Sequence, residues 1–491
     1  MNSKIYNLKI ITILLAISII SSYSLGMFYE KNVIANVIML FLILFIGRLS
    51  LPTSIILLLF IAVCGLYAPT GIVYGKINQS FIVSILETNQ REVIEYVSSL
   101  KALNVIISIT LFFLGIYFFK TRYITGSKKL LTVCLILFIS LNINSWPQRM
   151  IKKSVKDFVE LKQQMIDYKS LTANKKDSWV IEDSARKKDL VIVIIGESLR
   201  KDYMSSFGYR LKTTPWLDEQ NGYFFSNYIS AAPVTAVSLP RTLSLTTIPG
   251  GMPQLQNNVV SLANKAGYET DWISNQGFLG EYDTIVSAIS SYANNTFFMK
   301  KGGFSSENKD DSEMLSAINH QIEQNNHKKV IFVHMIGSHP NPCDRLLSYK
   351  NTFKNSFSDK KTACYLSTVS KTDNFIKNVV SIAKQKKDYT VIYFSDHGLS
   401  IDGSTPPHHC ANFKECYSVP LIIMSNNDSK RIVKNEKTSA FNFISIYSKI
   451  IGVKPKGVTP FSFEKTTSTN VSVFKDDRLV NYDKLENQRA I

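Results

Sequence analysis

Five of the seven histidines in this 491-residue chain fall in three short stretches, HMIGSH, SDHG and STPPHHC. HMIGSH, SDHG and a further stretch, VIVIIGES, lie at the ends of apolar runs typical of buried strands. A carboxylate at the tip of such a strand needs a cation nearby, and carboxylates together with imidazoles are the ligands of zinc or a similar divalent ion. The candidate side chains are Glu197, His334, His339, Asp396, His397, His408 and His409.

A hydroxyl group that such an ion could activate occurs in the stretch ISAAPVTAVSLPRTLSL, where a loop of small residues leads to Thr235 at the start of a helical segment. Backbone N–H groups and the helix dipole at that place would stabilise both an alkoxide and a phosphoryl oxygen. Coordination to a metal lowers the hydroxyl pKa further. Thr235 is therefore the candidate nucleophile and Ser238 a weaker one, while the alternative interpretation makes Thr235 an ordinary helix N-cap.

The elements that must position these residues begin near residue 190, where strand, loop and helix patterns alternate. Alternation of this kind predicts an α/β fold with a mainly parallel central sheet flanked by helices. Ligands in such folds bind beyond the carboxyl ends of the strands, where the candidate side chains stand. The predicted strands are 190–195, 268–273, 330–334, 390–394 and 420–424, and helices are predicted at 313–325 and 365–386.

The first 150 residues have a different character, because they contain five long uncharged stretches, each near the roughly 20 residues that a bilayer core requires. Lysine and arginine residues precede the first stretch and separate the second from the third and the fourth from the fifth, so these loops share one side of the membrane. The positive-inside rule then places the N-terminus in the cytoplasm and everything after residue 148 across the membrane. The stretches are 10–28, 32–47, 49–75, 102–119 and 130–148.

We therefore expect a transmembrane domain of five helices over 1–148, an amphipathic connector over 149–187 and an exported domain over 188–491. The loop between the third and fourth spans contains Thr88 and Glu92, which would share one face of a helix. The alternative for this loop is an interfacial amphipathic helix whose charges are solvated. The net charge of +18 suits anionic lipid head groups, and the exported location argues against nucleic acid.

Four of the six cysteines lie in the exported half, an even number that is compatible with two disulfides in an oxidising compartment. Local pairing is favoured, Cys343 with Cys364 and Cys410 with Cys416. The competing interpretation is a zinc site made of these four thiolates, but none of them shows the close CxxC spacing usual for such sites.

The order of these features resembles a known family. Five N-terminal spans, a connector and then GESLRKDYMSSFGYRLKTTP, TAVSLP, HMIGSH and SDHG are similar to the phosphoethanolamine transferases of Gram-negative bacteria, which belong to the alkaline phosphatase and sulfatase superfamily. The resemblance covers nearly the whole chain. It implies a multi-pass protein of the bacterial inner membrane, with a catalytic domain over 188–491 that lies in the periplasm.

The resemblance also implies roles for the candidate residues. Thr235 would be the nucleophile and a ligand of one tightly bound Zn²⁺, with a second zinc ion as an option. His334, His339, His408 or His409, and Thr88 with Glu92 would bind substrate, although the family's asparagine one turn before Thr88 is Ser84 here. The implied zinc ligands are Glu197, Thr235, Asp396 and His397.

The implied reaction is transfer of phosphoethanolamine from phosphatidylethanolamine to a hydroxyl or phosphate of a cell-envelope acceptor, through a phosphoethanolamine–threonine intermediate. The acceptor would be lipid A, the lipopolysaccharide core or another glycan, and the protein would act as a monomer without nucleic acid. The chain departs from the family at Ala231 and Arg241, where a disulfide often flanks the nucleophile, and at Leu399, where an acid commonly follows SDHG.

Three other functions compete with this interpretation. A glycerol phosphate transferase resembling lipoteichoic acid synthase would share the five spans and the threonine, but would use phosphatidylglycerol and often manganese. A sulfatase or plain phosphodiesterase would not need five spans. A catalytically inactive membrane scaffold would use the fold for binding alone.

Overall fold

The computed structural model describes most of the chain. By their contacts the described residues form two compact units, one over Met1–Ile82 and Tyr96–Lys162 and the other over Val83–Glu95 and Gln163–Ile491. The domain boundaries expected at 148 and 187 stay a prediction. The residues described are 3–27, 33–48, 50–77, 82, 90–121, 133, 136, 140, 142, 148–156, 158–159, 163, 175–185, 188–246, 252–277, 285–299, 309–403, 406–464, 470–476 and 478–491.

The N-terminal part of the chain is helical and apolar. Two of its segments, Leu51–Val73 and Ala102–Lys120, are long and apolar enough to cross a membrane, judged by length and composition, whereas Leu8–Ser24 and Val33–Gly47 are apolar but shorter. They correspond to the first four predicted spans, and the fifth, 130–148, lies largely outside the described residues, so five spans stay a prediction. The helices are α1 (Ser3–Ser24), α2 (Val33–Gly47), α3 (Leu51–Tyr74), α4 (Gln90–Ser99) and α5 (Ala102–Lys120).

Less can be said of the segments that flank these helices. Thr88 lies outside the described residues, and Glu92 falls in α4, whose description does not extend to that side chain. Residues 149–156 of the expected connector are helical, and much of the rest of the connector lies outside the described residues. The roles expected for Thr88 and Glu92 therefore stay predictions.

The second unit is built around one eight-stranded sheet with the strand order β12-β3-β11-β10-β2-β9-β7-β8. The strands of this unit are β1 (Ile181–Ser184), β2 (Leu190–Gly196), β3 (Gly222–Phe225), β4 (Tyr228–Ile229), β5 (Ser244–Leu245), β6 (Gln254–Asn258), β7 (Glu269–Ser274), β8 (Asn295–Phe298), β9 (Lys329–His334), β10 (Tyr389–Ser395), β11 (Leu421–Ser425), β12 (Arg431–Lys434), β13 (Thr438–Ser439), β14 (Val453–Pro455), β15 (Ser472–Lys475) and β16 (Arg478–Asn481). All five predicted strands are present, displaced by at most about one residue at either end.

The central sheet is mixed, since β11 runs antiparallel to both of its neighbours, β10 and β3, while the other pairings are parallel. The expectation of a mainly parallel sheet therefore holds with one exception. A parallel pair needs a crossover that carries the chain back across a face of the sheet. The described residues of the segment 396–420 include no such crossover helix, and the chain re-enters the sheet in the opposite direction.

Helices cover both faces of the sheet. The strand β2 is buried throughout, and its residues alternate between two apolar clusters as the period of two requires. Val191, Val193 and Ile195 belong to one cluster, and Leu190 and its alternate neighbours belong to the other. The helices are α6 (Pro215–Asp218), α7 (Thr235–Leu243), α8 (Val259–Lys265), α9 (Ile285–Ser290), α10 (Met314–Glu323), α11 (Pro342–Leu346), α12 (Lys360–Ala383) and α13 (Phe443–Ile450).

Two disulfides cross-link the second unit, Cys343 to Cys364 and Cys410 to Cys416. The local pairing predicted from the sequence is therefore confirmed, and the alternative of a four-cysteine zinc site is wrong. Each disulfide joins segments that follow the carboxyl ends of strands β9 and β10, where the candidate site residues lie.

Candidate active site

The adjacent parallel strands β2 and β10 end side by side, in a register that pairs Gly196 with Ser395. The next residue on each strand is a buried carboxylate, Glu197 and Asp396. His397 follows, with Nε2 at 3.4 Å from Glu197 Oε1 and 3.5 Å from Asp396 Oδ2. Two strand ends therefore bring two acids and one imidazole together, as the sequence analysis expected of parallel strands.

The turn after Glu197 holds a strained residue, since Ser198 has a φ of 58° in the left-handed region. Ser198 is fully buried, and three hydrogen bonds that it makes offset the strain. The N–H of Ser198 donates to Asp396 Oδ1 at 3.0 Å, its hydroxyl donates to Glu197 Oε1 at 2.6 Å, and its carbonyl accepts from the hydroxyl of Tyr365 at 3.0 Å. Backbone strain of this kind persists where the surroundings over-determine it, which is typical of functional sites.

Thr235 is the first residue of α7, and Val234 occupies the N-cap position without a side-chain capping bond. The Thr235 hydroxyl donates instead to Glu197 Oε2 at 3.1 Å, and its Oγ1 lies 3.3 Å from His397 Nε2. The alternative interpretation of Thr235 as an ordinary N-cap is therefore wrong. Ser238, one turn later, is fully buried and donates to the carbonyl of Asp396 at 2.7 Å, so its hydroxyl serves to hold α7 against β10.

One oxygen of Asp396 is left for a ligand. Oδ1 accepts the backbone N–H groups of Ser198 at 3.0 Å and of His397 at 2.8 Å. The other oxygen, Oδ2, is buried and accepts no hydrogen bond from the described part of the chain. A buried carboxylate oxygen without a hydrogen-bond donor costs free energy unless a positive charge lies near it. Here the His397 ring, 3.5 Å away, or a metal ion in contact with Oδ2 would supply that charge.

Metal-ligand atoms of Glu197, His397 and His409 all lie within 4.8 Å of one another. This group adds His409 to the candidate ligands, and of the two adjacent histidines His408 and His409 it is His409 that lies in it. Together with Oδ2 of Asp396 and Oγ1 of Thr235, the donors are the oxygen and imidazole types that zinc takes in proteins. The residues present therefore fit a zinc ion.

The charges of these side chains depend on one another. Burial and then the charge of Glu197 raise the pKa of Asp396 to about 7. Burial opposes a charge on His397, but the charges of Asp396 and Glu197 outweigh it and raise the pKa of His397 to about 9. Burial likewise opposes a charge on Glu197, yet the hydrogen bond and charge of His397 hold its pKa well below the usual range. Burial and the charges of His397 and His339 hold the pKa of His409 far below its usual value, so this imidazole is neutral and has a lone pair for a metal.

Two of the expected substrate-binding histidines lie at the end of β9 and just after it. His334, its last residue, is buried with its ring 6.1 Å from the Trp272 ring and Nδ1 3.5 Å from the Ser274 hydroxyl. His339 lies further along, with its ring 6.0 Å from that of His409. The structure therefore brings His339 beside the candidate metal group and places His334 against the neighbouring strand β7.

His408 is not a member of this group. Its backbone pairs with Ser400 in an isolated bridge, and its Nδ1 lies 2.8 Å from the carbonyl of Pro406. His409, by contrast, has its ring 5.0 Å from the ring of His397. Adjacent histidines thus have different surroundings.

Asp311, which no sequence pattern indicated, is a buried acid that supports the turn after β9. Its two oxygens accept the backbone N–H groups of Ile336 at 2.9 Å and Gly337 at 3.0 Å, and Oδ1 also accepts from Asn275 at 2.9 Å. Gly337 has a φ of +47°, and a Cβ there would lie 2.9 Å from the carbonyl oxygen of Glu197. The glycine of the HMIGSH stretch could have indicated that the backbone there lies close to another segment. No sequence pattern could have indicated the role of Asp311.

The departures from the family pattern are accommodated by packing. Ala231 is fully buried in the main apolar cluster. The Arg241 guanidinium lies 4.0 Å from the centre of the Phe474 ring, and its Nη1 donates to the carbonyl of Val237 at 3.0 Å. Leu399 is also fully buried, and its carbonyl accepts from Arg200 at 3.2 Å. None of these substitutions removes a member of the candidate metal group.

Comparison with known proteins agrees with the geometry. A family model described as Sulfatase matches residues 189–453, more than half of the chain. Phosphoethanolamine transferase OpgE of Escherichia coli K12 is 28% identical over 435 residues, which covers 82% of this chain and 81% of that protein.

Two solved structures share the fold. One is the integral membrane protein lipooligosaccharide phosphoethanolamine transferase A (EptA) from Neisseria meningitidis, with a TM-score of 0.61, 16% identity, and coverage of 90% of this chain and 96% of that one. The other is the C-terminal periplasmic domain of EptC from Escherichia coli in complex with zinc, with a TM-score of 0.55, 21% identity, and coverage of 63% and 96%. The resemblance drawn from the motifs is thereby confirmed: the chain belongs to the sulfatase family and is similar over most of its length to proteins named phosphoethanolamine transferases.

Proposed function

We propose that this protein is a zinc-dependent enzyme that transfers phosphoethanolamine from phosphatidylethanolamine to an envelope glycolipid or glycan, with Thr235 as the nucleophile. The observation that carries the proposal is the position of Thr235 Oγ1, 3.1 Å from Glu197 Oε2 and 3.3 Å from His397 Nε2 at the start of a helix. A hydroxyl placed among metal-type ligands and helix N–H donors has the surroundings of an activated nucleophile. The name of the relative OpgE agrees with the proposed transfer.

Glu197, Asp396, His397, His409 and Thr235 would hold the ion. When bound, zinc supplies Lewis-acid stabilisation of the alkoxide and of the charge that develops on phosphorus oxygens. The solved zinc complex of EptC supports this assignment, since that domain shares the fold.

The reaction would proceed in two displacements at phosphorus. Thr235 Oγ1 loses its proton, forms a bond to phosphorus, and the bond to the diacylglycerol oxygen breaks, so that diacylglycerol leaves with a proton. An acceptor hydroxyl or phosphate oxygen then attacks the phosphothreonine, and Thr235 regains its proton as the product leaves. His339, beside His409, is the proposed proton donor and acceptor for these oxygens, and the position of Thr235 at the start of α7, beside Glu197 and His397, orients Oγ1 for attack.

The apolar N-terminal helices have a purpose in this scheme. The donor lipid hardly exists free in water, so an anchor that holds the catalytic domain at a bilayer raises its local concentration. We therefore propose a multi-pass protein of the bacterial inner membrane, with residues 188–491 in the periplasm. The family membership and the two long apolar helices support this localisation.

Mass spectrometry of the trapped intermediate tests the proposal. The full chain in detergent is incubated with phosphatidylethanolamine vesicles without acceptor, quenched in acid, digested and mapped. We expect phosphoethanolamine on the peptide that contains Thr235, no adduct in Thr235→Ala, and a retained adduct in Thr235→Ser. An adduct on Ser238 instead, or transfer from phosphatidylglycerol in preference to phosphatidylethanolamine, would refute the assignment and, in the second case, favour a glycerol phosphate transferase.

A further inference from the structure

The backbone on both sides of His409 is tied down. Upstream, the N–H of Ser400 donates to the carbonyl of His408 at 2.8 Å, and the N–H of His408 donates to the carbonyl of Ser400 at 3.2 Å. Downstream, the residue that follows His409 is Cys410, which forms the disulfide with Cys416. His409 therefore lies between a two-bond bridge and a covalent cross-link.

Cys416 is the fixed side of that cross-link. It is fully buried in an apolar cluster with Ile229, Tyr417 and Val473. Its carbonyl accepts the N–H of Gly398 at 2.8 Å.

The hydrogen bond from Gly398 to Cys416 also connects this disulfide to the imidazole of His397. Gly398 follows His397, and its carbonyl lies 2.9 Å from Nδ1 of that histidine, so it holds the ring with Nε2 towards Glu197. One path from His409 to His397 thus runs through Cys410, Cys416 and Gly398.

The geometry points to the Cys410–Cys416 disulfide as a positioning element of the zinc site, which holds the His409 imidazole at ligand distance from Glu197 and His397. The inference rests on the proposed function, because it assumes that this group binds zinc. Outer contacts that orient a ligand commonly change metal affinity by about 10–100-fold when they are removed. We expect an effect of that size here.

The second disulfide of the chain is a matched control. Cys343 and Cys364 are 21 residues apart in sequence, whereas Cys410 and Cys416 are 6 apart. Since loop-closure entropy grows with loop length, loss of the longer link should lower thermal stability more. Neither Cys343 nor Cys364 adjoins a member of the candidate metal group. Zinc affinity should therefore fall more when the Cys410–Cys416 disulfide is lost than when the Cys343–Cys364 disulfide is lost.

The experiment compares the double variants Cys410→Ser/Cys416→Ser and Cys343→Ser/Cys364→Ser in the full chain in detergent. Zinc affinity is measured by competition with a chelator, and the melting temperature is measured on the same samples. We expect zinc affinity to fall about 10–100-fold in the first variant and to change less than about twofold in the second, despite the larger fall in melting temperature of the second. Losses of affinity that follow the losses of melting temperature in both variants would overturn the inference.

A third variant separates positioning from folding, in case the first double variant does not fold. Insertion of two glycines between His409 and Cys410 keeps the disulfide but lengthens the link to the histidine. We expect weakened zinc binding here too, with the disulfide present by mass spectrometry, and wild-type affinity would overturn the inference. If the wild-type protein binds zinc but transfers no phosphoethanolamine, the proposed function is refuted and the positioning role of the disulfide stands. If the wild-type protein binds no zinc, both are refuted.

Discussion

Removal of one hydroxyl group, by Tyr365→Phe, should loosen the turn that carries the candidate zinc ligands. The Tyr365 hydroxyl donates to the carbonyl of Ser198 at 3.0 Å and accepts the N–H of Arg200 at 2.9 Å. The side chain is fully buried, so water has no access to replace it. The variant therefore leaves two buried backbone groups without partners beside a residue that already has a φ of 58°.

The size of the effect follows from these contacts. A buried donor or acceptor left without its partner costs about 1–3 kcal/mol. Two such groups, with some relaxation of the turn, should lower the free energy of unfolding by about 2–4 kcal/mol. For a domain of about 300 residues that corresponds to a fall in melting temperature of roughly 3–6 °C. Because the N–H of Ser198 also holds Asp396, zinc affinity should fall as well.

The assay pairs thermal melts with chelator competition for zinc, and Tyr447→Phe is the control. Tyr447 is equally buried, but its hydroxyl has no hydrogen-bond partner among the described residues. The same deletion there should be neutral within about 0.5 kcal/mol, or stabilising, because it removes a polar group that is not satisfied. Equal effects of the two variants, or a Tyr365→Phe protein with unchanged melting temperature and zinc affinity, would refute the reasoning.

Two further predictions concern neighbouring supports. Gly337→Ala should destabilise the protein and weaken zinc binding, because its Cβ would lie 2.9–3.2 Å from backbone and Cβ atoms of Glu197. The control is Gly457→Ala, where φ is +79° but a Cβ would meet nothing within 4 Å. This control should cost only about 1–2 kcal/mol of backbone strain and leave zinc affinity unchanged. For Asp310, burial opposes ionisation, but the hydrogen bond from Lys371 at 2.7 Å and that from the backbone outweigh it and lower the pKa. A lowered pKa contributes stability that is present above the unfolded value and is lost as the pH falls through the folded value. The advantage of wild type over Asp310→Asn, about 1–2 kcal/mol at neutral pH, should therefore begin to shrink below about pH 4 and disappear only below the folded pKa. A pH-independent difference would contradict this assignment.

Much of the site was readable because its residues follow strands whose pattern is local. The run VIVIIG before Glu197 and the run VIYFS before Asp396 are apolar enough to indicate strands buried on both faces, and parallel strands end at one edge. The disulfide pairs were also readable, since short sequence separations favour local pairing. These inferences needed only chain neighbours and the geometry common to parallel sheets.

Other features could not be read in this way, because they depend on which distant segments pack together. The direction of β11 depends on the path of residues 396–420, and no sequence period reports that path. That His409 rather than His408 lies with Glu197 and His397 depends on how the loop after β10 packs against the rest of the sheet edge, which no local sequence pattern reports.

The sequence by itself determined the strand ends, the carboxylate and imidazole groups that follow them, and the place of Thr235 at the start of a helix. These features follow from local apolar patterns and from the chemistry of the side chains. The tertiary structure alone decided that a tyrosine 167 residues from Ser198 satisfies its carbonyl, and that the Thr235 hydroxyl points to Glu197 rather than capping its own helix. The physical reason is that a side chain's direction is set by the contacts of non-local packing, and such contacts leave no periodic trace in the sequence.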